Sequence, residues 1–177
     1  MILAVDVGNS NTTVGLFNGT GELLFRALLE TSRSKTRDQC AIELLGVFQL
    51  YGADACTVDG AILSSVVPPL TTIFTDAIAR LTGIPPMVVG PGIRTGLNIK
   101  AEIHNQLGSD IVASSVAAIA KYPSPIVMVD MGTATSLSLI VGSVYEGCII
   151  MPGLALALDA LSERAAALPP ISIETAS

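Results

Sequence analysis

One short segment of this chain occurs twice. Val5-Asp6-Val7-Gly8-Asn9-Ser10 returns as Val129-Asp130-Met131-Gly132-Thr133-Ala134, each time at the end of an aliphatic, β-branched run. An acid closing a strand, a glycine two positions on and small polar residues after it make a tight turn that can hydrogen-bond its own backbone. The elements that follow the two copies also run in the same order, so duplication of one structural unit explains the echo better than chance does.

In the first copy the sequence predicts strands over Ile2 to Val7 and Thr13 to Phe17, a turn at Asn18-Gly19-Thr20-Gly21, and a third strand from Glu22 to Leu29. From Thr36 to Tyr51, Cys40, Ile42, Leu44, Leu45, Val47 and Phe48 recur at near-helical spacing, with Asp38 and Glu43 towards the start. A buried-type strand spans Ala61 to Val67 and stops at Pro68-Pro69; a helix continues to Leu81, and a short strand covers Met87 to Val89. In the second copy, strands over Thr135 to Ile140 and Val144 to Ile150 flank a Val141-Gly142 turn, and a helix runs from Leu154 to Leu168. Each half therefore begins βββα, which gives an α/β layered protein with lobes at 1–121 and 122–177. Fewer residues follow the second turn than the first, so the second lobe is expected to be incomplete.

Composition narrows the function. A net charge of −6 over 177 residues, with no Lys/Arg cluster, argues against a nucleic-acid partner, which would need a basic footprint. The mean hydropathy of +0.65 comes from short apolar runs, none near the roughly 18 residues of a spanning helix, so no membrane association is expected. The opening MILAVDVGNS has no basic flank and carries an acid, which speaks against a secretory signal and leaves the cytoplasm as the expected location. The 3 cysteines, Cys40, Cys56 and Cys148, lie far apart in apolar sequence and read as reduced core residues. His104 is the single imidazole, which leaves zinc chemistry little to stand on, and it is assigned no role.

The chemistry resides in the turns. An acid at a strand end can hold hydrated Mg²⁺, while the following glycine lets backbone N–H groups approach a polyphosphate. Asp6 through Thr13 and Asp130 through Thr135 are the two candidates, and turns facing each other across a cleft would grip one nucleotide from both sides. The plainer alternative is that each Asp-x-Gly only shapes a turn, with Asn9, Ser10 and Asn11 serving local backbone groups. No Walker-type loop is present and no Gly-x-Gly-x-x-Gly follows the first strand. Leu107-Gly108-Ser109-Asp110 places another acid before a small-residue helix, Ile111 to Ala120, where the local sequence favours capping by Ser109 or Asp110. Arg94, in the loop Gly92-Ile93-Arg94-Thr95-Gly96, could reach an anion, although a solvent-facing arginine is the commoner case.

From Met1 to about Ile173 the chain resembles the type III pantothenate kinase family, whose members have actin-like (ribonuclease H-like) lobes. The resemblance is carried by Asp6-Val7-Gly8-Asn9-Ser10, Gly96-Leu97-Asn98-Ile99, Leu107-Gly108-Ser109-Asp110, Val129-Asp130-Met131-Gly132-Thr133-Ala134-Thr135 and Gly147-Cys148-Ile149-Ile150-Met151-Pro152-Gly153, in that order. It implies phosphorylation of pantothenate to 4′-phosphopantothenate by ATP with Mg²⁺ and a monovalent cation, potassium or ammonium, in a cytoplasmic homodimer that opens coenzyme A synthesis. By resemblance, Asp6, Val7, Gly8, Asn9, Ser10, Asn11, Thr12 and Thr13 form the ATP phosphate loop, and Thr133 contacts ATP from the second lobe. Asp130 helps hold the monovalent cation; Asp110 is the general base; Gly108, Ser109, Asp110 and Ile111 line the substrate pocket. This role for Asp110 displaces the local capping preference. The chain departs from the family pattern at Ile111, where an arginine is usual, at Ala101, where an aromatic residue is common, and at Ser138, which replaces an acid. Lys100 or Arg94 could substitute for the missing cation. Those departures keep two further readings in view: a nucleotide-binding relative with impaired catalysis and a regulatory role, or an inactive fragment.

Overall fold

The computed structural model describes residues 1–90, 93–99 and 107–164. They form strands β1 (Ile2–Val7), β2 (Asn11–Phe17) and β3 (Leu23–Glu30), helix α1 (Arg37–Leu50), β4 (Gly60–Ser65), α2 (Pro68–Thr82), β5 (Met87–Val88) and β6 (Asn98–Ile99). Helix α3 (Ser109–Lys121), β7 (Ile126–Met131), β8 (Ala134–Val141), β9 (Val144–Pro152) and α4 (Leu154–Arg164) follow. The chain separates into two compact units, Met1–Arg94 with Gln106–Ser114, and Thr95–Asn105 with Ser115–Ser177, so the division falls within α3.

In the first unit the strand order is β3-β2-β1-β4-β5. β1 pairs antiparallel with β2 and parallel with β4, and is thus flanked on both edges. Its side chains alternate as the period of a strand requires: Leu3, Val5 and Val7 are buried. They meet Leu44, Val47 and Phe48 of α1 and Leu70, Phe74 and Ile78 of α2 in one continuous core. Burial of each such aliphatic or aromatic side chain stabilises by about 1.5–3 kcal/mol, so this layer of helix on sheet fixes the unit. The helix ends are specified locally. Thr36 and Gln39 form a reciprocal capping box at the start of α1. α2 begins with Pro68 and Pro69 in its first turn, where a missing N–H costs nothing, and ends at Gly83, whose φ of 76° few other residues tolerate.

The second unit has the order β6-β9-β8-β7, with β7, β8 and β9 antiparallel and β6 parallel to β9. Its sequence order matches the opening of the first unit, but its packing differs. Val127, Val129 and Met131 of β7 are 65%, 54% and 73% exposed, against 2% or less for Leu3, Val5 and Val7 of β1. Among the described residues no helix covers that face of β7 as α1 and α2 cover β1. The buried side of this sheet is partly polar: the Ser138 and Tyr145 hydroxyls lie 2.9 Å apart and both residues are buried.

Three expectations change. The strand Asn98–Ile99 and a 3₁₀ turn at Ala55–Thr57 were not foreseen, because two or three residues carry no periodic signal. α3 begins at Ser109 rather than Ile111. Cys40 is a core residue as expected, but Cys56 and Cys148 are exposed: the former sits in the 3₁₀ turn, the latter on the β9 stretch whose outer residues lack cover. Residues 165–168 of the expected last helix lie outside the described residues, as do Lys100, Ala101 and His104.

Candidate active site

The first Asp-x-Gly turn joins β1 to β2. In the sheet register Asp6 stands opposite Thr13 on one side and Ser64 on the other, and Val7 opposite Thr12 and Ser65. The Gly8 N–H donates to the Asn11 carbonyl at 3.0 Å and closes the turn. A Cβ at position 8 would lie 2.9 Å from that same oxygen, so only glycine lets the backbone approach this closely. Asp6, Asn9, Ser10 and Asn11 are exposed at the strand end. Val7 and Thr12 are not: the Val7 side chain belongs to the core, and the buried Thr12 hydroxyl is 2.8 Å from that of Thr31. Thr31 also donates its N–H to the Ser10 carbonyl at 3.0 Å. The turn is therefore supported by Thr31, the residue after β3. Thr31 follows that strand without any motif of its own.

The acid Asp110, far away in sequence, comes to the same end of the same sheet. The Ser109 hydroxyl lies 3.1 Å from the Ser64 hydroxyl, accepts from the Ser65 N–H at 3.0 Å and donates to the Ser65 carbonyl at 3.0 Å. Ser64 and Ser65 are the register partners of Asp6 and Val7 on β4, and the Val66 N–H continues the ladder to the Val7 carbonyl at 3.0 Å. The carboxyl ends of the parallel strands β1 and β4 thus carry both Asp6 and the start of α3. Open α/β sheets bind ligands at such ends. The expected cap is distributed differently from either local reading. Gly108 supplies the first helical carbonyl, to the Val112 N–H at 3.1 Å. Asp110 Oδ1 accepts from the Ile111 N–H at 2.8 Å, and the Ser109 hydroxyl leaves its own helix for β4. The Asp110 carboxylate lies back over Gly108, where a Cβ would overlap Oδ1. Ile111 is half-buried beside it, and Arg94 is exposed.

In the second unit the Gly132 N–H donates to the Ala134 carbonyl at 3.0 Å. This is the closure seen at Gly8, with a loop one residue shorter, because β8 begins at Ala134. Asp130 and Thr133 are exposed. Behind the turn sits Gly153, between β9 and α4, whose N–H donates to the Thr133 carbonyl at 3.0 Å. A Cβ there would overlap the Gly132 carbonyl oxygen and lie 2.6 Å from that of Thr133. The buried Gly153 therefore seats the end of β9 directly against the turn. Ser138 occupies a buried site filled by its contact with Tyr145, a place where an acid would be desolvated.

A groove lined by Asp38, Ala41, Ile42, Leu45, Arg80 and Leu81 lies between α1 and α2 and shares no residue with either turn. Among the described residues no group of three or more His, Cys, Asp or Glu could cage a metal ion.

The two βββα openings and the twin turns define an α/β protein with actin-like lobes. In shape the chain is similar to a protein of Campylobacter jejuni assigned to the Baf family of transcriptional activators, with TM-score 0.55, 19% identity, 98% of this chain and 66% of that one. It is also similar to a Sinorhizobium meliloti protein assigned as a 2-dehydro-3-deoxygalactonokinase, with TM-score 0.56, 13% identity, 94% of this chain and 58% of that one. At those identities the likeness concerns the fold. The sequence settles the family: residues 2–177 match type III pantothenate kinase, and the chain belongs to that family of kinases. It is 40% identical to the type III pantothenate kinase of Listeria monocytogenes over 178 residues, covering 100% of this chain and 68% of that protein. Against that of a Geobacillus species it is 41% identical over 174 residues, with 98% and 67% covered. The chain thus spans about two thirds of the length of these relatives.

Proposed function

We propose that the chain carries its family's reaction, the ATP-dependent phosphorylation of pantothenate to 4′-phosphopantothenate, on the residues assembled at the carboxyl ends of β1 and β4. The observation that supports this best is the juxtaposition of Asp6 and Asp110: one acid ends β1, and the other is held to β1's register partners on β4 by Ser109. Phosphoryl transfer asks chiefly for positioned charges, backbone donors and one base.

In this reading the turn from Asp6 to Thr13 receives the ATP phosphates. Gly8 to Asn11 supply backbone approach, while Val7 and Thr12 act from the core by holding the turn's shape. Thr133 contacts the nucleotide from the second turn. Asp110 accepts the proton of the pantothenate hydroxyl as its oxygen attacks the γ-phosphorus and the bond to ADP breaks. Gly108 and Ile111 line the acceptor side. Asp6 is the residue suited to Mg²⁺, which when bound neutralises phosphate charge. Asp130, exposed at the end of β7, is the residue suited to a potassium or ammonium ion. A cytoplasmic homodimer completes the proposal. Within the described residues no helix is long and apolar enough to cross a membrane.

The test is formation of phosphopantothenate, followed by mass, with purified chain, ATP, Mg²⁺ and potassium, with and without pantothenate. Product that depends on pantothenate is expected, and Asp110→Asn should lower turnover by about 10²–10⁴-fold while ATP still binds. Full turnover in Asp110→Asn removes the assignment of the base. Bound ATP without product in the unmodified chain points instead to a nucleotide-binding relative.

A further inference from the structure

We propose that Ser109 is a positioning residue: its hydroxyl latches the first turn of α3 to the end of β4 and thereby sets the direction of the Asp110 carboxylate. This rests on the reading of Asp110 as the base, and extends it to a residue that otherwise only lines the pocket.

The geometry is specific. A serine at the first position of a helix ordinarily serves that helix or solvent. Ser109 instead makes three contacts with a strand 44 and 45 residues earlier: the Ser64 hydroxyl, the Ser65 N–H and the Ser65 carbonyl. One hydroxyl can donate once and accept twice, and these contacts use that capacity. Ser65 is anchored in turn, since its hydroxyl donates to the Val67 carbonyl and accepts from the Val67 N–H, both at 3.2 Å. The latch therefore ends on a rigid strand whose opposite edge is β1, the strand that carries Asp6. An alanine at 109 would remove all three of these contacts.

The consequence for Asp110 follows from helix ends. The first N–H groups of a helix have no intrahelical acceptor, and α3's own ladder begins with Val112 to Gly108. The Ile111 N–H is satisfied by Asp110 Oδ1, so its protection from solvent reports where that carboxylate lies. With the first turn fixed by Ser109, the carboxylate lies in the space above Gly108 that the missing Cβ leaves open. Without the latch the first turn frays, as helix termini do, and the carboxylate loses that orientation.

Amide hydrogen exchange on the full chain tests this at two positions at once. In Ser109→Ala, protection of both the Ser65 and Ile111 amides should fall by about fivefold, the scale of one lost hydrogen bond, and Ser109→Thr, which keeps the hydroxyl, should restore both. Ser64→Ala, which removes one of the three contacts, should give a smaller fall at the same amides and serves if Ser109→Ala does not fold. A fall at Ser65 alone would mean the hydroxyl only staples the chain and would overturn the positioning role; no change at either amide would overturn the latch. Asp110→Ala, which removes the acceptor of the Ile111 N–H, should lower protection at Ile111 and leave Ser65 unchanged. The turnover of Asp110→Asn is a separate measurement: if it stays high, the base assignment fails while the exchange data still decide the latch.

Discussion

Asp6 and Ser64 are register partners across the parallel pair β1 and β4, and through Ser64 and Ser65 the start of α3 is tied to the same strand end. Two acids far apart in sequence are thereby carried at the carboxyl ends of the same two strands, and the expected behaviour of variants follows from that arrangement.

Removing either turn's acid should act on nucleotide use. Asp6→Ala and Asp130→Ala are each expected to lower kcat/KM for ATP by about 10²-fold or more, the usual cost of losing one positioned charge in phosphoryl transfer. Steady-state assays with ATP as the varied substrate check this. Unaltered ATP dependence in both variants sinks the assignment of the turns.

Two glycines should respond in opposite ways to the same added methyl. At Gly108 the atom in the way is the end of the Asp110 side chain, which can rotate aside. Gly108→Ala should therefore keep its stability to within about 1 kcal/mol yet lose turnover. At Gly153 the obstacles are the carbonyls of Gly132 and Thr133, which cannot move without the backbone. Gly153→Ala should cost about 1–3 kcal/mol, as overpacking does. Urea unfolding of the two variants separates the effects.

The hydroxyls of buried Thr12 and half-buried Thr31, 2.8 Å apart, support the first turn from beneath. Thr12→Val should leave the Thr31 hydroxyl without that partner and destabilise by about 1–3 kcal/mol. The double variant Thr12→Val with Thr31→Val should recover part of the loss. A double-mutant cycle by chemical denaturation gives the coupling; additive losses would deny it.

Burial pushes the Cys40 thiol above its ordinary range, with Glu43 adding to the shift and Lys35 opposing it. The folded thiol thus holds its proton to higher pH than the unfolded one. This contribution to stability is fully present below the unfolded thiol's value near about 8.5 and is lost as pH rises through the folded value. Urea midpoints should fall less steeply from pH 8 upward in Cys40→Ala than in the unmodified chain, although Cys40→Ala starts lower because of the cavity. Thiol labelling of the native chain should reach Cys56 and Cys148 quickly and Cys40 slowly.

Much of this was legible in the order of residues. The βββα openings follow from alternation, turn residues and helix-start signals, all written within a few positions of each other: Gly21 with its φ of 82° in the β2–β3 turn, Thr36 with Gln39 at α1, and Pro68 at α2. The repeated Asp-x-Gly likewise marks two turns whose closures, Gly8 to Asn11 and Gly132 to Ala134, are local hydrogen bonds. The short strand β6 was not legible, because its two residues owe their state to β9 rather than to themselves.

What the sequence alone determined is therefore local: the strands, the turns and the family to which their motifs belong. Tertiary structure decided which exposed positions are neighbours and what each polar group does there. It turned Ser109 away from its own helix to β4, set Thr31 under Ser10, drew Gly153 against the Thr133 carbonyl and exposed Cys56 and Cys148 that composition placed inside. The reason is physical. Turn and helix-end preferences act over a few residues, whereas pairing β1 with β4 and seating α3 on that strand end bring together groups whose separation along the chain carries no signal of their contact.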